Sequence, residues 1–463
     1  MVVGSACTPS DREASGRTPV GTTPPGRSEK VDDRRLRDPS PCAEAPGFTC
    51  WTLSVPLDHS GTIAGTLDLQ VATADDEAAP GGVLLLLSGG PGQYGVGLLP
   101  RVLPSLAPFA DTYRVVMLDQ RGTGATALRC PEVQAATGSS DILTAPPSAI
   151  RECARSLGPE RRFYATADTV EDLELLRQAL RADRWVLNGV SYGTFTAARY
   201  AIAYPEHVHG LVLDSVVPHD GFDPFLRANL RDAARVLRDV CADRTACSAD
   251  PAADVAWLVR RGVDRVRLLN AITADSIVDP TFSQIVDVPA VLHLARRGER
   301  GPLEAFLTGF EEGGAAPTEA FSAALHVATL CADLRFPWSA TDPVGARRRA
   351  LREAAAGIRA EAVWPFDRAT AVHQGVIQSC LHWLPTPAPS VSEDTELPDV
   401  PVLLLNGDRD LSTPVAWAKE EAQVAPGGTL VIVEGAGHGV QIRAESDRGR
   451  TAVRRFLLGL VGS

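Results

Sequence analysis

Trp185-Val186-Leu187-Asn188-Gly189-Val190-Ser191-Tyr192-Gly193, followed by the run Thr194 to Ala203, decides how this chain folds. Trp185 to Val190 reads as a short strand buried on both faces of a sheet. Thr194 to Ala203 has helical spacing. Between them lies a single Gly-x-Ser-x-Gly turn. A serine hydroxyl is a poor nucleophile unless it is held exposed beside a base. A sharp strand-to-helix turn holds it so, and needs small residues two before and two after the serine, which Gly189 and Gly193 supply. The N-terminus of the following helix adds a favourable field. The competing reading is a tight turn with a structural serine.

The same alternation extends in both directions. Trp51 to Leu57 and Leu67 to Ala72 alternate at period two and predict a β-hairpin. Val83 to Ser88, Tyr113 to Leu118, Gly210 to Asp214, Val402 to Asn406 and Thr429 to Glu434 are short, apolar and followed by Gly, Pro or Asp, as buried parallel strands are. Helical patterns such as Thr169 to Leu180 separate them. From about His219 to Leu397 the alternation stops, and Ala, Arg and Leu recur at helical spacing. The expected fold class is therefore α/β: a mainly parallel, eight-stranded sheet interrupted by a mostly helical lid. The expected parts are a tether over 1–47, the first part of the core over 48–218, the lid over 219–397 and the last part of the core over 398–463.

Composition bounds the partners. The 463 residues carry 45 basic and 57 acidic side chains, a net charge of -12, which argues against nucleic acid because phosphate neutralisation needs a basic face. With 44% hydrophobic and 22% charged residues the chain can bury a large core. No apolar run reaches the roughly 18 residues of a transmembrane helix. No cofactor or metal motif stands out.

A serine nucleophile needs an oxyanion hole, an acid and a base. Ser88-Gly89-Gly90-Pro91-Gly92 follows the strand Val83 to Leu87, and its glycines let backbone N–H groups approach a ligand. The expected hole uses the N–H groups of Gly90 and Tyr192. The acid follows the strand Val402 to Asn406, where Asp408 and Asp410 compete; the adjoining Thr413-Pro414 helix start favours Asp410. The base is His438, in Gly437-His438-Gly439, 28 residues after Asp410. In this reading His438 takes the Ser191 proton, Asp410 fixes the tautomer, and an acyl-enzyme forms and is hydrolysed.

These motifs, with Leu118-Asp119-Gln120-Arg121-Gly122-Thr123-Gly124 and Leu213-Asp214, resemble the α/β-hydrolase peptidases of the proline iminopeptidase and tripeptidyl aminopeptidase group. The tail from Gly407 to Gly439 is similar to the C-terminal domain of secreted tripeptidyl aminopeptidases. Ser88 departs from the His often found there, and Thr126 from a common Ser. The resemblance implies an α/β-hydrolase fold and release of short peptides or single residues from free N-termini. The peptide's α-ammonium then needs an acidic partner, and lid residues Glu304, Glu311, Glu312 and Asp333 are the candidates. Asp119 and Arg121 are expected to be structural. The alternatives are a carboxylesterase acting on small esters and, more remotely, an inactive binding module.

Nine cysteines leave one unpaired. Proximity in sequence suggests Cys42–Cys50, Cys130–Cys153, Cys241–Cys247 and Cys331–Cys380, although eight cysteines permit 105 connectivities. Disulfides imply export. The ninth, Cys7, follows small residues as in a bacterial lipoprotein signal, so membrane anchorage through a lipidated Cys7 is one expectation and a free thiol the other.

Overall fold

A computed structural model describes residues 35–461 apart from 44, 110, 243–246, 248, 313–316 and 388–395, together with the side chains of all these except 106 and 312. Cys7 and the rest of residues 1–34 lie outside the described residues.

Strand-forming apolar runs build one sheet. Its members are β1 (Arg37–Pro41), β2 (Phe48–Pro56), β3 (Thr66–Ala74), β4 (Val83–Leu87), β5 (Arg114–Leu118), β6 (Trp185–Val190), β7 (Val208–Asp214), β8 (Val402–Gly407) and β9 (Gly428–Val433). They lie in the order β1-β2-β3-β5-β4-β6-β7-β8-β9. The pairings from β5 to β9 are parallel and those joining β1, β2, β3 and β5 antiparallel. The all-apolar strand β4 shows why both faces are covered. Val83, Leu85 and Leu87 join one core with residues of the helices Thr166–Ala179 and Tyr192–Ala203. Leu84 and Leu86 join another with Leu99, Val453 and Leu457, from helices on the opposite face. Each such Leu, fully withdrawn from water, contributes about 1.5–3 kcal/mol.

The sheet has nine strands among the described residues, not eight. The added strand β1 lies in the stretch expected to be a tether. Its sequence Arg-Asp-Pro-Ser-Pro is exposed throughout, so no hydrophobic alternation announces it. Pairing with β2 and the Cys42–Cys50 disulfide hold it at the sheet edge. The other disulfides are Cys130–Cys153, Cys241–Cys247 and Cys331–Cys380, so all four pairings suggested by proximity are present.

Between β7 and β8 the chain runs through nine α-helices among the described residues, from Arg227–Ala242 to Gly375–His382. They bury a core of their own, including Leu230, Leu258, Ile272, Leu303 and Ile377. A second roof element was not legible in the sequence. The helices Pro131–Thr137 and Pro147–Ser156, between β5 and β6, pack Val133, Ala149 and Ile150 against Ala323, Val327 and Ala328 of the insert.

The topology places the site. From β4 the chain steps to β5 on one side and later to β6 on the other. Loops leaving β4 and β6 at their carboxyl ends diverge there, which opens a crevice at the switch point. Leu87 of β4 pairs with Gly189 of β6, so the Ser88–Gly92 loop and Ser191 face each other across it.

Candidate active site

Ser191 joins β6 to the helix Tyr192–Ala203 with φ 58° and ψ −127°, a conformation that L-residues rarely adopt. The turn is tight enough to exclude side chains on either flank. A Cβ at Gly189 would lie 2.3 Å from the Gly193 carbonyl oxygen, and one at Gly193 would lie 2.3 Å from that of Leu87. The Ser191 N–H donates to the Asp214 carbonyl at 2.9 Å, and its own carbonyl accepts from the Thr194 hydroxyl at 2.7 Å. Surrounding hydrogen bonds therefore hold the strained serine in place.

His438 lies on the loop after β9. Its Nδ1 donates to Asp410 Oδ2 at 2.9 Å. Asp410 is fully buried and saturated: Oδ1 accepts the N–H groups of Ser412 and Thr413 at 2.9 Å, and Oδ2 accepts the Thr413 hydroxyl at 2.6 Å. Asp408 points elsewhere and accepts the Gly435 N–H at 2.8 Å. Burial disfavours charge on both partners, but their mutual attraction wins. It holds the Asp410 carboxyl below its usual range and the His438 imidazole above its own. Ser191 and His438 line one cavity, and a Cβ on Gly89 would stand 3.3 Å from Ser191 Oγ. No hydrogen bond joins the hydroxyl to His438 among the described residues.

Gly90 and Tyr192 line the same cavity as the serine. The loop bearing Gly90 is braced: Ser88 Oγ donates to the Gln93 carbonyl at 3.0 Å, and Gln120 donates to the Ser88 carbonyl at 3.3 Å. His326, from the insert, meets the Pro91 carbonyl through Nδ1 at 3.0 Å. Asp119 accepts the Gly95 and Val96 N–H groups at 2.8 Å, just beyond the loop. Asp214, at the end of β7, accepts the Val440 and Gln441 N–H groups at 3.0 and 2.8 Å, and Ser215 accepts the Gly439 N–H at 2.8 Å. The two residues clamp the backbone that carries His438.

The acids expected to bind an ammonium are not brought together. Glu304 and Glu311 both pair with Arg267 on an exposed helix face, and neither lines a cavity at the serine. A surface guanidinium had been the nearer partner for each. The side chain of Glu312 is outside the described residues. Asp333 is buried behind Tyr192, where it accepts the Tyr192 hydroxyl at 2.8 Å and the Thr166 N–H at 3.0 Å. It positions Tyr192 and does not reach the cavity lining. The acid that does line the cavities on both sides of Ser191 is Asp141. It sits after the helix Pro131–Thr137, in a turn with no motif to mark it. Asp214 left only a weak trace, as an aspartate closing an apolar strand.

Two cavities meet at Ser191. One, of about 130 Å³, is walled by Leu226, Leu269, Val327, Val376 and Trp417. The other, of about 260 Å³, is walled by the Ser88–Gly90 loop, His438, Arg101 and Arg443.

The family described as alpha/beta hydrolase fold matches residues 82–250, and the TAP-like protein family matches residues 365–460. The chain has the α/β-hydrolase fold. Among curated relatives, the chain is 29% identical to a tripeptidyl aminopeptidase of Streptomyces coelicolor, over 39% of this chain and 37% of that one. It is 28% identical to the serine protease Hip1 of Mycobacterium tuberculosis, over 49% of this chain and 48% of the relative. It is 33% identical to a probable proline iminopeptidase of Streptomyces coelicolor, over 28% and 32%. The chain thus spans about half or less of the length of the relatives it matches.

Proposed function

We propose that this α/β-hydrolase is an exported serine peptidase that releases short peptides or single residues from free N-termini. The observation that carries the reading is the buried Asp410–His438 pair, which shares a cavity with a serine held on a strained turn. In the proposed reaction Ser191 Oγ swings toward His438, gives up its proton to the ring and attacks the scissile carbonyl. Backbone N–H groups of Gly90 and Tyr192 stabilise the oxyanion. The imidazolium, steadied by Asp410, then protonates the leaving amine, and water repeats the sequence on the acyl-enzyme. The relatives' names support peptide over ester substrates. Asp141 is the acid available to the substrate's α-ammonium. Four disulfides support folding in an oxidising compartment, and no described helix is long and apolar enough to cross a membrane.

Labelling with a fluorophosphonate followed by peptide mapping tests the nucleophile: modification at Ser191 is expected, and an intact protein that never labels would be a binding module. Tripeptidyl and aminoacyl anilides, free and N-acetylated, test the substrate class. Acetylation is expected to abolish cleavage. Equal cleavage of blocked peptides, or turnover confined to small esters, would sink the aminopeptidase reading.

A further inference from the structure

We infer that the cavity on the His438 side of Ser191 is a leaving-group site for a carboxylate, held by Arg101 and Arg443. The inference rests on the peptidase reading and adds the charge of the fragment that departs.

The two cavities share Gly90, Asp141 and Ser191 and otherwise divide the reaction between them. In acyl transfer the leaving amine must take its proton from the base. His438 lines the larger cavity and not the apolar one, so the amine departs through the larger cavity. The acyl part then occupies the apolar cavity beneath the insert.

The departure side is cationic. Arg101 comes from the helix Leu99–Leu106, and Arg443 ends the short helix Val440–Arg443 that follows the base. A Cβ on Gly439, the neighbour of His438, would stand 4.0 Å from Arg443 Nη1, so this guanidinium folds back beside the base. Both arginine residues line the cavity and keep part of their surface exposed to solvent. Neither guanidinium makes a hydrogen bond or ion pair among the described residues. Partial desolvation is the largest influence on Arg443 and, with the charge of Arg101, holds its pKa below the ordinary value against the pull of Asp410, Asp141 and Asp214. The two cations therefore repel one another across a space whose lining contains one acid, Asp141. Of the acids that act on Arg443, Asp141 is the one in that lining, and a guanidinium facing the cavity takes a carboxylate in a two-point hydrogen bond. The carboxylate has two possible sources: the free C-terminus of a short peptide, or an Asp or Glu close after the scissile bond.

The test uses the full chain and begins with anilides, to find an N-terminal fragment that the enzyme accepts. That fragment is then joined to Ala-OH, Ala-NH2, Asp-NH2 and Lys-NH2, and kcat/KM is measured for each. At least one carboxylate-bearing substrate is expected to exceed the Ala-NH2 amide by about tenfold, the scale of one charge-assisted contact, with Lys-NH2 the poorest. Preference for Ala-OH assigns the site to a terminal carboxylate, and preference for Asp-NH2 to a side chain. In R101Q/R443Q the ratio is expected to fall to about one, and in R443E to invert. Because each ratio is taken within one protein, loss of overall activity does not mask it. Anilide turnover with all four substrates equal in the wild type overturns the inference and leaves the peptidase reading intact, as does a preference that survives in R101Q/R443Q. Failure to turn over any anilide defeats the peptidase reading and the carboxylate site with it.

Discussion

In the proposed mechanism Asp410 and His438 set the working pH. A base must be neutral to accept the Ser191 proton. Burial alone would lower the His438 pKa, but Asp410 holds it above the ordinary 6.5. The acid limb of kcat/KM is therefore expected above pH 6.5. In D410N it should move down, and kcat should fall by roughly 10³–10⁴, because the wrong tautomer faces the serine; a pH–rate profile with an anilide reads both. At the other end of the substrate, D141N is expected to lower kcat/KM for free N-terminal peptides by about tenfold, from loss of one charge-assisted contact. The strained turn at Ser191 and the loop at His438 were legible from sequence because glycines flank them, and glycine marks a close approach or a sharp turn. Asp410 was separable from Asp408 only by its neighbours Thr413 and Pro414, and the hydrogen bonds of Thr413 to its carboxylate show why they matter. Asp141 carried no such mark, since its place at the cavity follows from how distant helices pack.

Elements near the site are pinned by buried polar groups. Arg121, after β5, is 1% exposed; its Nε and Nη2 donate to both oxygens of Asp172 at 2.7 and 2.6 Å, and Nη1 donates to the Phe163 carbonyl at 2.7 Å. R121A would leave the buried Asp172 with His59, 2.8 Å away, as its remaining partner, so a loss of about 3 kcal/mol is expected in urea unfolding. Opposite, Cys331–Cys380 ties the insert's helices Ala323–Asp333 and Gly375–His382, both of which face the apolar cavity. C331S/C380S is expected to lower stability by about 2–4 kcal/mol, read from the shift in thermal midpoint. The buried parallel strands were legible because apolar runs of five or six residues have few other uses. β1 was not, because an exposed edge strand is specified by its partner's hydrogen bonds and not by its own side chains.

On the scale of the molecule, the insert and the sheet are joined through Asp333. It belongs to an insert helix, yet it binds Thr166 and Tyr192, which belong to the helices around β6. Burial raises its pKa from 3.8 to about 6. The folded state thus holds the proton more tightly than the unfolded chain does. The stabilisation is full below about pH 4 and is lost as pH rises toward 6, by roughly 3 kcal/mol. Wild type should therefore lose more stability than D333N between pH 4 and 6; equal slopes in denaturant titrations would refute this.

The sequence by itself determined what depends on neighbours along the chain: which runs are strands, which serine sits on a strained turn, and which cysteines lie close enough to pair. Only the tertiary structure decided which acid meets which cation. Glu304 and Glu311 went to Arg267, Asp333 to Tyr192, and Asp141 to the cavity. Charges interact through space and choose their partners by proximity after packing, and a sequence read along its length does not contain that distance.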